Sequence, residues 1–566
     1  MLKGKGVSNG IGFGKAYILS HEQTEVKEFK VENRKKEIQL FQEAFQKVIK
    51  ETEDIVETSI GTEKDIMEAY LTIMKDPILI SKTINMIQNE GYNAGYATEI
   101  GFNTIIKMFK TMDDSYMAAR ASDIEDMKNR VIDKIIGRES VNISKLPKDT
   151  IVVAKELTTS DTARLDLKNI AGIITELGGI NSHVSIMART HDIPTIVGIK
   201  YVNQVLKNGD FVAISIDGEE GKIYINPSEE ECINLRVLKE KIEEEKKELK
   251  NFKQYDSITN DGHKVKLVAN IGVPQDVDLV IENTAEGIGL FRSEFLYMDS
   301  ETIPTEEEQF KAYKNVVSKM NKKIVIIRTL DIGGDKNVKS LPLEKEANPF
   351  LGYRAIRICL DNVQLFKTQL RALLRASYYG NLAIMLPMIS SIDELRDAKQ
   401  IIESVKQELT EENIPYNSNI KVGIMIEVPA AALIAKELAK ECDFFSIGTN
   451  DLIQYTTAVE RGNDKIAKLY TKYHPAVIRL IQLAIEGAHS NGIFCGMCGE
   501  AAGDNIYIPL LLGLGLDEFS MNPSKILKAR KIITQLNYKE CTNLAKEVIG
   551  MSSANDVEKR LKEFIK

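Results

Sequence analysis

Hydrophobic positions change their period along the chain, and each change marks a different kind of element. Between about residues 30 and 137 they recur every three or four: Ile38, Phe41, Phe45, Val48, Ile49, Ile55 and Val56, then Ile66, Tyr70, Ile73 and Met74. That spacing predicts several amphipathic helices. Ser122 with Glu125 has capping-box spacing and predicts a helix start ahead of Met127, Val131, Ile132, Ile135 and Ile136. From about 145 to 227 short apolar runs take over: Ile151 to Ala154, Ile170 to Thr175, Thr195 to Val197, Val212 to Ile216 and Lys222 to Ile225 predict strands, with Asp217-Gly218 as a turn. The glycine-rich stretch Gly10 to Leu19 reads as strand and turn, because it meets neither the dinucleotide nor the P-loop spacing. That strand has no other sheet to join, so the helical block reads as an insertion into the α/β unit.

Residues 228–256 are dense in Glu and Lys, with Leu235, Leu238, Ile242 and Leu249 to one side, which predicts a solvated linker helix. Eight strand-like runs then alternate with helical patterns: Val265 to Asn270, Gly287 to Leu290, Ile324 to Arg328, Ala383 to Pro387, Val422 to Glu427, Phe444 to Thr449, Ile493 to Cys498 and Glu518 to Met521. Eight such repeats predict a (β/α)8 barrel. The expected fold is therefore multidomain α/β. Residues 1–20 and 145–227 form an α/β domain with a helical bundle inserted at 21–144, residues 228–256 form a linker, and residues 257–566 form the barrel.

Composition narrows the class without changing this plan. With 566 residues, 43% hydrophobic and 28% charged, the chain is that of an ordinary globular protein of several domains. Its 82 acidic against 74 basic side chains give a net charge of −8, which argues against a general nucleic-acid binder. No apolar core with a cleavage site follows Met1, and no stretch is long and apolar enough to span a bilayer. A cytoplasmic protein without membrane insertion is expected. Six cysteines in so long a chain do not suggest a disulfide framework.

Two places carry candidate chemistry. Gly178-Gly179 would turn the chain sharply after the Ile170 strand, and Ser182 would cap a helix opening at His183. Unpaired N–H groups and the positive helix end would favour a phosphate on that imidazole, which makes a phosphohistidine site; the alternative is a histidine that caps or packs. In the barrel, polar residues fall at the C-terminal strand ends: Asn270, Arg292, Arg328, Glu427, Asn450 with Asp451, and Cys498. Arg292, Arg328, Arg354 and Arg461 suit a small polyanion, or else each serves a salt bridge. Glu427 and Asp451, at the ends of adjacent strands, suit Mg²⁺, or else ion pairs with arginine. Cys495-Gly496-Met497-Cys498 has the C-x-x-C spacing but no second pair to complete a zinc set; a thiol at a barrel mouth can instead act as an acid.

Six motifs in order resemble those of the Enzyme I family of the bacterial sugar phosphotransferase system. They are Gly178 to Arg189, Gly287 to Leu296, Arg328 to Lys336, Asn348 to Arg354, Phe445 to Leu452 and Gly496 to Glu500, so the resemblance covers essentially the whole chain. It implies phosphoenolpyruvate-protein phosphotransferase activity: His183 takes the phosphoryl group on Nε2, supported by Thr162 and Arg189, and passes it to a histidine of the carrier HPr docked on the helical domain. It further implies that Arg292, Arg328, Arg354 and Arg461 hold the phosphate with Lys336 nearby, and that Asn450 helps to fix the carboxylate. Glu427 and Asp451 would bind Mg²⁺, and Cys498 would protonate the enolate to give pyruvate. Similar proteins are homodimers through the barrel, with a His domain that swings between donor and carrier. Where relatives carry a basic or polar residue followed by Thr after the glycine pair, this chain has Ile180 and Asn181. A pyruvate, phosphate dikinase or phosphoenolpyruvate synthase would also need a large ATP-binding domain, for which residues 30–137 are too short and too helical. A non-catalytic regulator would not need the strand-end set.

Overall fold

The computed structural model describes residues 2–19, 26–58, 68, 71–72, 74–75, 77–110, 115–137, 143, 146–157, 159–177, 183–218, 220–298, 302–334, 338, 340–344, 346–461, 463 and 465–565. The chain divides into two compact units, Met1–Glu245 and Lys246–Lys566. The expectations for Ile66, Tyr70, Ile73, Gly178 to Ser182 and Lys336 lie outside the described residues.

In the first unit seven strands close on themselves: β1 (Leu2–Ser8), β2 (Gly10–Leu19), β3 (Thr150–Ala154), β4 (Ile170–Thr175), β5 (Thr195–Val197), β6 (Phe211–Asp217) and β7 (Glu220–Ile225). β2 and β3 lie far apart in sequence yet pair in parallel, Lys15 opposite Thr150 and Leu19 opposite Ala154, and β2 also pairs antiparallel with β6. The segment between β2 and β3 forms the helices Arg34–Thr58, Pro77–Asn85, Ala94–Lys110 and Ser115–Ile135. They bury Phe41, Phe45, Val48, Phe102, Met127 and Val131 in a core of their own.

Two local expectations are corrected here. Ser122 is not a helix cap, because Ser115–Ile135 is one continuous helix; Met117, Ala118, Ala119 and Arg120 are good helix formers, and nothing in that stretch forces a break. In the helix Glu229–Lys250, Leu235 and Ile242 pack on Ile11, Phe13 and Ala213 of the sheet, whereas Leu238 is exposed. Positions seven apart return to nearly the same side of a helix and positions three apart do not, so the stripe is narrower than the composition suggested.

In the second unit β8 (Lys266–Ile271), β9 (Gly287–Arg292), β10 (Ile324–Arg328), β11 (Leu382–Leu386), β12 (Lys421–Ile426), β13 (Phe444–Ile447), β14 (Phe494–Met497) and β15 (Glu518–Met521) are all parallel, and β15 pairs with β8 to close the barrel. Alternation sorts the side chains. Val325 and Ile327, Val422 and Ile424, Phe445 and Ile447, and Cys495 and Met497 point outward into the large core beneath the helices. Ile326, Met385, Met425, Phe444 and Cys498 fill the interior with Leu290. The inward series therefore reaches the C-terminal end at Arg328, Glu427 and Cys498. Among the described residues no helix is long and apolar enough to cross a membrane.

Candidate active site

Arg328 ends β10 on the inward side and is buried. Its guanidinium pairs with Glu294 Oε1 at 2.6 Å and with Asp331 Oδ2 at 2.9 Å. Asp331 turns its other oxygen to Arg354, Oδ1 to Nη2 at 2.9 Å, and Nη1 of Arg354 lies 3.3 Å from Asp451 Oδ1 and 3.1 Å from the Tyr455 hydroxyl. One carboxylate thus joins two arginines that are 26 residues apart in sequence. Burial works against both guanidinium charges, yet Asp331 with Glu294 at Arg328, and Asp331 with Asp451 at Arg354, raise both pKa values and keep them cationic.

Glu427 follows the inward Met425, and Asp451 lies in the first turn of the helix Thr449–Thr457 that leaves the neighbouring strand β13. Burial, and then the charges of Asp451 and Asp331, push the Glu427 carboxyl up to about 8, against the pull of Arg328 and Arg354. Its Oε1 accepts a hydrogen bond from the Met388 amide at 2.6 Å. A pair of hard carboxylate ligands that is short of positive charge fits a divalent cation which keeps most of its own water. No group of three or more His, Cys, Asp or Glu side chains suited to a metal occurs among the described residues.

The remaining candidates surround this network. Arg292 ends β9 and is exposed, close enough for its charge to be felt at the Cys498 thiol. The Arg461 guanidinium stands 5.7 Å from the centre of the Phe350 ring, and that of Arg354 stands 5.9 Å from the same ring, so one aromatic carries two cations. The Asn450 carbonyl accepts from the Tyr470 hydroxyl at 3.0 Å. Burial pushes the Tyr470 phenol up to about 12; Arg461 opposes this, while Glu500 and Asp451 add to it.

Cys498 is buried, and Asn270 donates to its carbonyl at 2.9 Å. Burial raises the thiol to about 11, with a Ser446 hydrogen bond and Arg328 pulling it down and Glu427 pushing it up. At neutral pH the sulfur therefore keeps its proton. A Cβ at Gly499 would stand 1.8 Å from Thr449 Oγ1, so only glycine lets the Cys498 loop close onto the end of β13. Cys495 faces the opposite side, in the helix-covered core, which rules out a joint metal or redox role for the pair.

Two residues near the mouth sit in backbone conformations that side chains rarely adopt: Ala355 (φ 54°, ψ −125°), next to Arg354, and Met388 (φ 56°), whose amide holds Glu427. Such strain is maintained only where the surroundings over-determine the chain. The amide of Ala355 is fixed on the Ile332 carbonyl at 2.9 Å, which aims Arg354 at Asp331.

In the first unit His183 is the first residue of the helix His183–Thr190. Thr162 is buried in the helix Thr159–Arg164, and Arg189 lies in the last turn of the His183 helix, roughly 9 Å along its axis. Sequence reasoning missed Asp331, Glu294, Tyr455 and Phe350. Asp331 and Glu294 stand inside quoted motifs, and their only signal is an acidic residue within three positions of an inward arginine or of a strand end.

Three family models match successive parts of the chain: PEP-utilising enzyme, N-terminal, over residues 3–120; PEP-utilising enzyme, mobile domain, over 146–221; and PEP-utilising enzyme, PEP-binding domain, over 246–538. A Staphylococcus carnosus protein named phosphoenolpyruvate-protein phosphotransferase is 44% identical over 569 residues, covering 100% of this chain and 99% of its own length. The chain belongs to this phosphotransferase family. Other members that it resembles are the Bacillus subtilis protein of the same name, 44% identical with 100% of both chains covered, and the Haemophilus influenzae one, 44% identical with 100% of this chain and 99% of its own covered. Within the family frame, the PEP-binding-domain match takes in all eight strands of the barrel and every charged side chain of its mouth.

Proposed function

We propose that this phosphotransferase-family enzyme moves the phosphoryl group of phosphoenolpyruvate to its own His183 and then to a histidine of the carrier HPr, releasing pyruvate as the first step of a sugar phosphotransferase system. The observation that carries the reading is the mouth network: Arg328 and Arg354 locked on Asp331, the carboxylates Glu427 and Asp451 beside them, and the protonated Cys498 thiol within reach of the charges of Arg328 and Glu427. Family membership over the full length gives it its substrate.

In this reading Arg292, Arg328, Arg354 and Arg461, with Lys336, hold the donor phosphate, and Asn450 fixes the carboxylate. Arginines already anchored by carboxylates need no reorganisation as charge moves from the phosphate to the enolate oxygen. Glu427 and Asp451 would hold Mg²⁺, which would supply charge neutralisation for the donor. The P–O bond of the enol phosphate breaks as a bond forms to the imidazole nitrogen of His183, and the enolate carbon takes its proton from Cys498. Thr162 and Arg189 support the loaded histidine, and the start of the helix favours its new negative charge. Residues 1–20 with 145–227 form the phosphohistidine domain, 21–144 dock the carrier, 228–256 link, and 257–566 bind the donor and dimerise. The chain works in the cytoplasm as a homodimer.

The deciding experiment is incubation with labelled phosphoenolpyruvate and Mg²⁺. An acid-labile, base-stable label that His183→Ala abolishes and that HPr removes is the expected result. A label acquired from ATP alone would replace this reading with a dikinase, and no label from either donor would leave a binding protein.

A further inference from the structure

The opposite, N-terminal end of the eight-stranded barrel is built unlike an ordinary barrel floor. Interior layers of such barrels take four side chains from alternate strands, mostly branched and apolar. Here the lowest layer holds Lys266 of β8, Ile324 of β10, Lys421 of β12 and Phe494 of β14, and above it stand Ala383, Phe444 and Glu518 of the strands between. These residues line a cavity of about 180 Å³. The parallel rings of Phe444 and Phe494, with centroids 5.2 Å apart, form one wall. Lys266, Lys421 and Asn381 are exposed at the rim, while Glu518 lies inside at 2% exposure.

Glu518 is the anomaly. Its Oε2 is buried without a hydrogen-bond partner, and no ion pair satisfies it among the described residues. A buried carboxylate without a partner is costly. Room for it is provided by Gly496, where a Cβ would stand only 3.2 Å from Glu518 Oε1. One water would satisfy one oxygen, but the cavity has space for several and carries two ammonium groups at its mouth. A cavity of roughly 150 Å³ accepts a molecule of about six heavy atoms.

We propose that this cavity is a second small-molecule site, separate from the donor site, which takes a small zwitterion of the α-amino acid class. The ligand's ammonium group donates to Glu518, its carboxylate faces Lys266 and Lys421, and a short side chain lies against Phe444 and Phe494. A simple carboxylate leaves Glu518 unsatisfied, and a simple amine makes no use of the two rim lysines.

The test uses the purified full-length chain without phosphoenolpyruvate, titrated with glycine, L-alanine or L-serine and followed by thermal melting and ligand-observed NMR. Acetate and methylammonium serve as half-molecule probes. The expected result is a saturable rise in melting midpoint with at least one amino acid and with neither half-molecule. Glu518→Gln weakens binding tenfold or more, and Lys421→Ala, on the exposed rim where folding is not at stake, also weakens it about tenfold. Labelling by phosphoenolpyruvate reports that each variant is intact. No shift with any amino acid, a shift in the two variants as large as the parent's at the same concentrations, or a shift of the same size with acetate or methylammonium alone would overturn the proposal.

Discussion

The two ends of the eight-stranded barrel use the same strands and reach opposite electrostatic arrangements. At the C-terminal end each buried guanidinium is met by carboxylates, Arg328 by Glu294 and Asp331, Arg354 by Asp331 and Asp451. At the N-terminal end Glu518 is buried with an oxygen unmet, and the lysines stand at the rim. The difference follows from chain connectivity. Asp331, Arg354 and Asp451 all lie beyond strand ends, on loops or helix starts that can bend toward a strand-end charge. The N-terminal end is lined by the first residues of strands, Lys266, Ile324, Lys421, Phe444, Phe494 and Glu518, with Asn381 just ahead of β11. The C-terminal end thus pairs its buried charges, although Nε of Arg328 and Nε of Arg354 stay unpartnered, whereas Glu518 has no ion pair among the described residues, and such a gap is where an outside molecule contributes most.

Asp331→Asn attacks the contrast hardest. It removes the charge shared by two buried arginines, and the loss of one partner of a buried pair costs about 3–5 kcal/mol. Labelling of the protein by phosphoenolpyruvate is expected to fall by about 10³-fold or more, with a lower midpoint in urea; labelling within tenfold of the parent would show that the network is not what holds the donor. Cys498→Ala comes next. Pyruvate release slows by about 10²-fold, within the usual range for a lost general acid, while donor binding measured by calorimetry persists. Because the thiol is raised to about 11, the protonation step stays flat through pH 9 in stopped-flow traces; a fall centred near 8.5 would mean an ordinary exposed thiol or another acid.

Glu518→Gln sharpens the comparison from the other end. Burial raises this carboxyl to about 7 from 4.5. A group raised on folding gives its full stability below its unfolded pKa and loses it as pH climbs through the folded value. The parent therefore loses up to about 3 kcal/mol from this group between pH 4.5 and 8, and the glutamine variant does not. Parallel melting curves for both proteins at pH 5 and pH 8 would remove Glu518 from the argument. The smallest effect belongs to Ala355→Gly, which relieves a strained φ and is expected to raise stability by about 1 kcal/mol in urea titration. A loss of stability would show that the strain is absent.

Much of this arrangement was legible along the chain, because buried parallel strands are short apolar runs and their ends are polar. The runs at Ile324 to Arg328 and at Glu518 to Met521 coincide with β10 and β15, and the others lie within a residue or two. Arg328, Glu427 and Cys498 were readable as mouth residues for the same reason. Asp331 was not: three residues past a strand it looks like any loop acid, and only the fold brings Arg354 back to it. Phe350 was invisible because its place beside two cations, Arg354 and Arg461, depends on residues more than a hundred positions apart meeting in the fold. The start of the Ser115–Ile135 helix was missed because a good cap sequence can lie inside a helix when its neighbours favour helix as well. Glu518 gave no warning at all, since a glutamate opening a strand usually faces solvent.

The opposed orientation of Cys495 on β14 and Cys498 just past its end also bears on how long the molecule lasts. Three steps along a strand put their Cα atoms about 10 Å apart, beyond the reach of a disulfide. An oxidant entering the mouth would find a sulfur that this nearest cysteine cannot rescue, so its protection against peroxide rests on the rarity of the thiolate in so buried a place.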